Sequence, residues 1–377
     1  MRTWLQASAQ PLSSAHDVAL LDLDGVVYIG ADAVPGAAAA LRSAREAGLR
    51  LAFVTNNAAR PPQAVADHLT ELGIAADPAE IITSAQAAAR WLAERLPAGA
   101  PVLVIGTTGL VEALRERGLT AVSDANGDVA AVVQGFSPDL DWKLLAEGCL
   151  GINRGVPWVA TNVDPTVPSP RGRLPGNGSL VAALRHATRK EPVVTGKPDP
   201  TMHRESVLRS GAKRPIVVGD RLDTDIEGAN EVGCPSLLVF SGVTDVADLL
   251  AAEPRLRPTF LAADVGGLCD VHPAPAIEAD GARCGAWVSR ADGVGLDLRR
   301  SPEAGRAAGE STDSRFDDDA LNAIRALCAA RWTSVDARGA GNGEAAGAAP
   351  VSGSAGQLSV RGLDPAAKEM VQRLGLD

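Results

Sequence analysis

Side chains that could carry phosphoryl chemistry gather in four short segments of this sequence. Each segment lies at the end of an apolar run or directly after it, which predicts a position at the end of a buried strand. Together they supply two nearby carboxylates, a hydroxyl, an ammonium and a further carboxylate, an inventory that fits Mg²⁺-assisted phosphoryl transfer through an aspartyl-phosphate. The segments are Asp22-Leu23-Asp24-Gly25-Val26, Thr55-Asn56-Asn57, Gly196-Lys197-Pro198-Asp199 and Gly219-Asp220-Arg221-Leu222-Asp223-Thr224-Asp225.

Asp22 and Asp24 are separated by one residue at the end of a predicted strand. Because side chains alternate across a strand, residues i and i+2 leave on the same side, and both carboxylates can face one pocket. In such a pair Asp22 can attack phosphorus while Asp24 handles protons. An ordinary pair of aspartates before the turn at Gly25 would have the same spacing, so both interpretations stay open for this segment alone.

The second and third segments offer groups that bind phosphoryl oxygens. Thr55 contributes a hydroxyl, Asn56 a side-chain amide, and the backbone here contributes N–H groups. Turn or helix-cap roles are the alternative for these residues. Lys197 stands between a glycine and a proline, a rigid setting that could aim its ammonium at a phosphoryl group, although a lone lysine is ordinarily a solvated surface residue.

The fourth segment predicts a metal site. Mg²⁺ prefers oxygen ligands and keeps several waters, and Asp220 could complete a site with Asp22 and the backbone carbonyl of Asp24. Asp225 lies five residues further on, at a predicted helix start, where it could orient metal-bound water from behind the ligands. Capping that helix is the alternative role for Asp225.

The elements that must position these groups follow from apolar runs that alternate with amphipathic helical stretches. This alternation predicts an α/β protein with a mainly parallel, doubly wound sheet, in which ligands bind beyond the carboxyl ends of the strands. The runs are Val18–Leu23, Leu49–Thr55, Pro101–Ile105, Val129–Gln134, Pro157–Thr161, Pro215–Gly219 and Ser236–Phe240.

The spacing of the segments predicts the domain organisation. Asp22 and Thr55 are one βαβ step apart, but the stretch from Thr55 to Lys197 is far too long for one crossover. We therefore expect a core domain of residues 1–83 and 188–272 with a second α/β domain, a cap, inserted at 84–187. The rest, 273–377, is predicted to be a small appendage. It would contain short strands at Gly285–Ser289 and Val294–Leu298, helices at Asp317–Trp332 and Pro365–Leu374, and a flexible Gly/Ala-rich linker at 337–356.

The ordered set of segments resembles the haloacid dehalogenase superfamily of phosphohydrolases, over about residues 15 to 270. The resemblance implies a Rossmann-like hydrolase core that uses Mg²⁺, and aspartate rather than threonine at position 24 resembles the phosphatases. The implied roles are Asp22 as nucleophile, Asp24 as acid and base, Thr55, Asn56 and Lys197 on phosphate, Asp22, Asp24 and Asp220 on the metal, and Asp225 behind the metal ligands.

The position and the motifs of the insertion resemble the branch of this superfamily with a type-2 cap. Those motifs are Thr161-Asn162-Val163-Asp164, Pro168 and Pro175-Gly176-Asn177-Gly178-Ser179. In that cap Asn162 and Asp164 are the candidates for contact with the substrate. The run from Val218 to Ile226 is especially similar to phosphoglycolate and glycerol 3-phosphate phosphatases, and composition and length point to the mycobacterial type. This implies hydrolysis of glycerol 3-phosphate, with phosphoglycolate, pyridoxal phosphate or a nucleoside monophosphate as alternative substrates.

Bulk properties restrict the partners. A formal net charge of -10 argues against nucleic acid or an anionic membrane as the main partner, and no stretch is long and apolar enough for membrane insertion. Five dispersed cysteines without a CxxC pair predict reduced thiols and a cytoplasmic protein without a zinc site. The expected partner is a small phosphorylated metabolite, and relatives suggest a homodimer through the cap. A phosphometabolite-binding regulator without turnover and a phosphomutase are the competing functions. Mutase relatives usually carry their cap between the first two motifs, where this chain has no room for one.

Overall fold

The computed structural model describes residues 4–167, 172–292, 295–302, 315–341 and 358–377. Within them, the strands in chain order are β1 (Val18–Leu21), β2 (Tyr28–Ile29), β3 (Asp32–Ala33), β4 (Arg50–Thr55), β5 (Ile81–Thr83), β6 (Pro101–Ile105), β7 (Thr120–Val122), β8 (Ala131–Gln134), β9 (Trp158–Ala160), β10 (Thr166–Val167), β11 (Leu174–Pro175), β12 (Val193–Val194), β13 (Pro215–Gly219), β14 (Ser236–Val239), β15 (Phe260–Ala262), β16 (Ala276–Glu278), β17 (Gly281–Cys284), β18 (Trp287–Asp292), β19 (Gly295–Arg300) and β20 (Val360–Gly362). The helices are α1 (Leu12–Ala15), α2 (Ala37–Glu46), α3 (Pro62–Glu71), α4 (Ser84–Ala93), α5 (Thr108–Glu116), α6 (Trp142–Asn153), α7 (Asn177–Thr188), α8 (Pro200–Ser210), α9 (Glu227–Glu231), α10 (Val246–Leu250), α11 (Asp318–Gly341) and α12 (Pro365–Leu374).

The first sheet has the strand order β15-β14-β13-β1-β4-β5, and every neighbouring pair is parallel. All four residues of β1 are buried, as expected for a strand that is covered on both faces. The chain leaves β1 through β4 on one side and returns through β13 on the other, so the strand order reverses at β1. Sheets of this kind bind ligands at the carboxyl ends beside the reversal. The predicted doubly wound α/β fold is confirmed.

A second parallel sheet, with the order β12-β9-β8-β6-β7, lies in the sequence between β5 and α8. Its helices α5, α6 and α7 connect consecutive strands, as in other α/β units. The predicted boundary after residue 187 needs correction, because β12 pairs with β9 and so extends this sheet to Val194. Two valines are too short a run to indicate from sequence which sheet they join.

A third sheet follows residue 275 and has the order β16-β17-β18-β19-β20. Its pairs are antiparallel except β19 with β20, which run parallel. The two short strands predicted here correspond to the longer β18 and β19, and the final helix α12 has its predicted bounds. Helix α11 continues to Gly341 instead of ending at Trp332, because the residues that follow include good helix formers and no proline. Of the predicted linker, 337–341 are therefore helical and 342–356 lie outside the described residues.

The third sheet shares a hydrophobic core with the first. One cluster joins Leu222, Ile226 and Leu238 to side chains of β18 and α11, including Trp287 and Trp332. The region after residue 275 is therefore built into the protein, and its description as a small appendage was wrong. No helix among the described residues combines the length and hydropathy that crossing a membrane requires.

An ion pair between a buried arginine and a half-exposed aspartate also crosses this contact. Arg257 is 3% exposed and donates two hydrogen bonds to the Asp336 carboxylate, over 2.7 and 2.9 Å. Its guanidinium lies 5.0 Å from the centre of the Trp332 ring, which allows a cation–π interaction. Where the first and third sheets meet, the buried charge is thus paired and the apolar surface is covered.

Candidate active site

The strand order of the first sheet brings the predicted segments to one edge. Strands β13, β1 and β4 are neighbours, and they end next to Asp220, Asp22 and at Thr55 respectively. The Asp22 N–H continues the ladder by donating to the Val218 carbonyl at 2.8 Å. Lys197 reaches the same edge from the segment between β12 and α8. The structure therefore brings together residues that lie far apart in the sequence.

Lys197 is the central cation of the site. Its side chain is 4% exposed, and its ammonium contacts the Asp22 carboxylate and donates to Asp225 Oδ1 at 2.7 Å. Burial alone would lower the pKa of this ammonium, but the carboxylates of Asp22 and Asp225 raise it above its ordinary value. Lys197 is therefore a permanent positive charge at neutral pH, suited to binding a phosphoryl oxygen.

Three carboxylates surround this one ammonium. Asp22, Asp220 and Asp225 each offer an oxygen atom, and these atoms lie within 4.8 Å of one another. Asp220 Oδ2 accepts a hydrogen bond from the Val243 N–H at 2.7 Å, while its Oδ1 is buried without a partner. Excess negative charge and an unpartnered carboxylate oxygen together fit a hard divalent cation such as Mg²⁺. Asp225, predicted to lie behind the ligands, is itself part of the carboxylate cluster.

Burial and the neighbouring charges raise the pKa values of two of these acids, Asp22 and Asp220. Burial, opposed by Lys197 and reinforced by Asp225 and Asp220, raises the pKa of Asp22 well above its usual range. Burial and the Asp225 charge raise the pKa of Asp220 to about 6. Without a cation, the cluster therefore favours protonation of Asp22 and Asp220.

Asp24 lies at the exposed side of the site. Desolvation raises its pKa although the residue keeps an exposed surface, while the charges of Lys197, Arg60 and His68 act in the opposite direction. A raised pKa suits a carboxyl group that must hold a proton and later release it. Gly25, next in the chain, has φ +86°, and a Cβ there would lie 2.5 Å from Asp220 Oδ2. The turn after Asp24 therefore requires glycine.

The Thr55 segment and the second sheet meet beside Lys197. Thr55 is 4% exposed, and its hydroxyl oxygen accepts a hydrogen bond from the Asn57 N–H at 3.0 Å. The Asn56 amide contacts the backbone of Lys197 and lies 3.4 Å from Asp164 Oδ2. The Asn56 side chain was predicted to bind phosphate, and in the structure its amide nitrogen and oxygen both have protein partners, which leaves the backbone N–H for that role.

Both cap candidates lie next to this segment. Asn162 donates from Nδ2 to the Asn56 carbonyl oxygen at 2.8 Å, and its Oδ1 accepts from the Asp164 N–H at 3.2 Å. Desolvation raises the pKa of Asp164, against the hydrogen bond from Asn56 and the charges of Arg221 and Lys197. The structure thus places Asp164 within the electrostatic field of the site, on the side that the second sheet supplies.

The loop after β14 was not predicted from the sequence to contribute to the site. Val243 binds Asp220 there, and the Ser241 hydroxyl donates to the Gly25 carbonyl at 2.6 Å. This loop follows another parallel strand of the same sheet, so the rule that placed the other segments could have found it. Arg60 and His68, whose charges act on Asp24, were not predicted either, because their spacing gave no signal.

Comparison with known proteins gives consistent matches. A family model described as haloacid dehalogenase-like hydrolase matches residues 19–120, and a related HAD-hydrolase-like model matches residues 194–268. D-glycerol 3-phosphate phosphatase of Mycobacterium tuberculosis is 44% identical over 321 residues, which cover 85% of this chain and 87% of that protein. A 5'-nucleotidase of Bacillus subtilis is 37% identical over 60% of this chain and 87% of its own length.

Solved structures agree with these matches. The crystal structure of glycerol phosphate phosphatase from Mycobacterium tuberculosis in complex with magnesium has a TM-score of 0.82 and 38% identity, and the match covers 98% of this chain and 100% of that one. A p-nitrophenyl phosphatase from Archaeoglobus fulgidus has a TM-score of 0.62 and 29% identity, over 67% of this chain and 98% of that one. The longer match therefore includes the third sheet as well as the first two.

Proposed function

The chain belongs to the haloacid dehalogenase-like hydrolase family, and from this premise we propose that it is a Mg²⁺-dependent phosphomonoester hydrolase acting on glycerol 3-phosphate. The observation that carries the proposal is the arrangement around Lys197, where one buried ammonium faces the Asp22, Asp220 and Asp225 carboxylates. The substrate assignment is supported by the relative named D-glycerol 3-phosphate phosphatase and by its magnesium-bound structure.

The residues support a two-step displacement. An oxygen of the Asp22 carboxylate attacks phosphorus, the bond from phosphorus to the glycerol oxygen breaks, and Asp24 gives its proton to that oxygen. Asp24, now ionised, takes a proton from water, whose oxygen attacks the aspartyl-phosphate. The Asp22 oxygen–phosphorus bond breaks, which releases phosphate and regenerates the Asp22 carboxylate. The two steps together consume one water.

Other residues hold the phosphoryl group during both steps. Lys197, the Thr55 hydroxyl and the Asn56 N–H are assigned to its oxygens, where donors fixed in advance stabilise developing charge. Asp22, Asp220 and the backbone carbonyl of Asp24 would hold Mg²⁺, with Asp225 beside them. When bound, the cation neutralises charge on the phosphoryl oxygens and favours the ionised form of the nucleophile.

The second sheet is assigned as the cap that selects the leaving group, with the domain division at 84–194 after correction for β12. Asp164 is its candidate substrate contact, because a carboxylate is a good acceptor for the free hydroxyls of glycerol, whereas both polar atoms of the Asn162 amide already have protein partners. We also assign the protein to the cytoplasm and propose a homodimer through the cap. Trp142 and Leu150 on α6, 79% and 53% exposed, supply apolar surface for such a contact. Light scattering of the purified protein, with Trp142→Ser as the comparison, tests the dimer.

Phosphate release with and without Mg²⁺ tests the proposed function. The substrates are sn-glycerol 3-phosphate, phosphoglycolate, pyridoxal phosphate and a nucleoside monophosphate, and Asp22→Asn protein serves as the blank. A preference for glycerol 3-phosphate that disappears in the blank is the expected result. Preference for another ester would retain the mechanism and change the substrate. Absence of turnover with every ester would instead favour a phosphometabolite-binding regulator.

A further inference from the structure

Asn56 holds the backbone of the catalytic lysine at two points. Its Oδ1 accepts from the Lys197 N–H at 2.8 Å, and its Nδ2 donates to the Lys197 carbonyl at 3.1 Å. Two hydrogen bonds from one planar amide fix both the position and the orientation of the peptide segment they bind. The ammonium of Lys197 is then directed from a fixed backbone toward Asp22 and Asp225.

Asn56 is in turn held from the second sheet. The Asn162 side chain donates to the Asn56 carbonyl at 2.8 Å, and Asn177, the first residue of α7, donates from Nδ2 to the Asn162 carbonyl at 2.7 Å. Three asparagines therefore form a continuous series of hydrogen bonds from α7 to Lys197. Because these partners are buried or half-buried, each lost bond would leave a polar group poorly solvated.

The backbone beside Lys197 is also packed too closely to move independently. A Cβ at Gly196 would lie 2.2 Å from the Thr161 carbonyl oxygen, 2.8 Å from Asn56 Oδ1 and 3.2 Å from Asn162 Cβ. The Thr161–Asn162 backbone of the second sheet therefore rests directly on the residue that precedes the lysine. Contact and hydrogen bonding connect the same two segments.

We propose that Asn56 and Asn162 are positioning residues that make the placement of the Lys197 ammonium depend on the loop after β9. Asn56 acts on Lys197 directly, and Asn162 acts through Asn56. The inference rests on the proposed function, since it assigns to this network the alignment of a lysine that binds the phosphoryl group. A cap loop in the wrong place would thus misalign the lysine and slow the chemical steps without preventing substrate binding.

Steady-state kinetics of Asn56→Ala, Asn162→Ala and the double variant test this dependence. We expect kcat to fall about 10- to 100-fold in Asn56→Ala, since small displacements of a catalytic group have effects of this size, and KM to change less than about threefold. Asn162→Ala should lower kcat about 3- to 10-fold. The double variant should match Asn56→Ala within about twofold, because Asn162 acts through the missing amide.

Asn230→Ala is the matched control. Its Nδ2 also donates to two backbone carbonyls, those of Arg255 and Arg257 at 2.7 and 3.2 Å, but neither belongs to the active site. This variant should have a lower thermal midpoint and an unchanged kcat. Wild-type kcat in Asn56→Ala, or independent effects of Asn56→Ala and Asn162→Ala that multiply in the double variant, would overturn the proposal.

A second measurement separates this inference from the proposed function. Amide hydrogen exchange of the peptide that contains Lys197 does not depend on turnover, and Asn162→Ala should accelerate it relative to wild type and Asn230→Ala. Unchanged exchange would contradict the proposal. If the wild type hydrolyses no ester, including 4-nitrophenyl phosphate, the proposed function fails, and exchange alone then decides whether Asn162 acts on Lys197.

Discussion

Two buried cations, Lys197 and Arg257, occupy very different surroundings in this protein. Lys197 is 4% exposed and faces three carboxylates, one of which has an unpartnered oxygen. Arg257 is 3% exposed and faces the single carboxylate of Asp336 in a two-bond geometry, beside the ring of Trp332. The first arrangement has negative charge in excess and the second is balanced. The comparison indicates that unbalanced charge marks the site of chemistry, whereas balanced charge joins two parts of the fold.

Replacement of the proposed nucleophile, Asp22, should produce the largest effect. Asp22→Asn keeps the shape of the side chain and removes the attacking carboxylate, so kcat should fall by at least about 10⁴-fold. The thermal midpoint of the metal-free protein should not fall, because burial and neighbouring acids already disfavour the ionised Asp22. Phosphate release and differential scanning calorimetry measure the two quantities. A large loss of stability would show that the charge at this position supports the fold, contrary to the comparison.

Removal of the Asp220 charge should lower the activity but raise the stability of the metal-free protein. Asp220→Asn should lower kcat/KM by at least about 100-fold at saturating Mg²⁺. It should also raise the thermal midpoint of the metal-free protein by about 2 °C, because it removes a buried carboxylate whose Oδ1 has no partner. Calorimetry with and without Mg²⁺ checks this, and the gain should be absent or reversed when the wild type is saturated with the cation.

Removal of the carboxylate that pairs with Arg257 should lower the stability of the protein without lowering its activity, the opposite of the effect expected for Asp220→Asn. Asp336→Ala leaves the buried Arg257 guanidinium without its partner, so the free energy of unfolding should fall by about 2 kcal/mol, a moderate value because Asp336 is half exposed. Urea unfolding measures the loss, and kcat of the folded variant at 25 °C should equal that of wild type. Arg361→Ala breaks an exposed pair with Asp297 and serves as the control, with an unchanged urea midpoint.

The pH dependence of Mg²⁺ binding should give the smallest effect. The pKa of Asp220 is raised to about 6 in the folded, metal-free protein, so below that pH a proton competes with the cation. The apparent Kd for Mg²⁺ should rise by about tenfold per pH unit below pH 6 and level off above pH 7. In the same protein without metal, this group makes folding less favourable as pH rises from about 4 to 6, because the folded state holds a proton that the unfolded state has released. Titration calorimetry with Mg²⁺ checks the first sign and urea unfolding of the metal-free protein checks the second, and a pH-independent Kd would contradict the assignment of Asp220 as a ligand.

Much of the active-site edge was predictable because it depends on local patterns. Apolar runs indicated the strands, and polar residues at their ends indicated which side chains would converge near Asp22. Partners of individual side chains were not predictable. The Asn56 amide could have faced a ligand or a backbone, and only the fold brings Lys197 next to it.

The third sheet was harder to predict for a different physical reason. Strand β20 joins β19 from a distant part of the sequence, so no local pattern indicates this pairing. The core that the third sheet shares with Leu222 and Ile226 is likewise a long-range property. Periodicity reports which face of an element is apolar and does not report what covers that face.

The central position of β1 has a consequence for the order of events during synthesis. Val18 pairs with Arg50 on one side and with Pro215 on the other, so one neighbour of this strand is made early and the other much later. Asp22, which follows β1, therefore leaves the ribosome well before β13 and the Asp220 that follows it. The strands of the second sheet are synthesised between β4 and β13. This sheet can therefore fold while the edge of β1 that binds β13 is still unpaired. Non-local pairing of this kind slows folding and leaves an unpaired strand edge that is prone to aggregation. The nascent chain is therefore a candidate for chaperone binding until β13 has been synthesised.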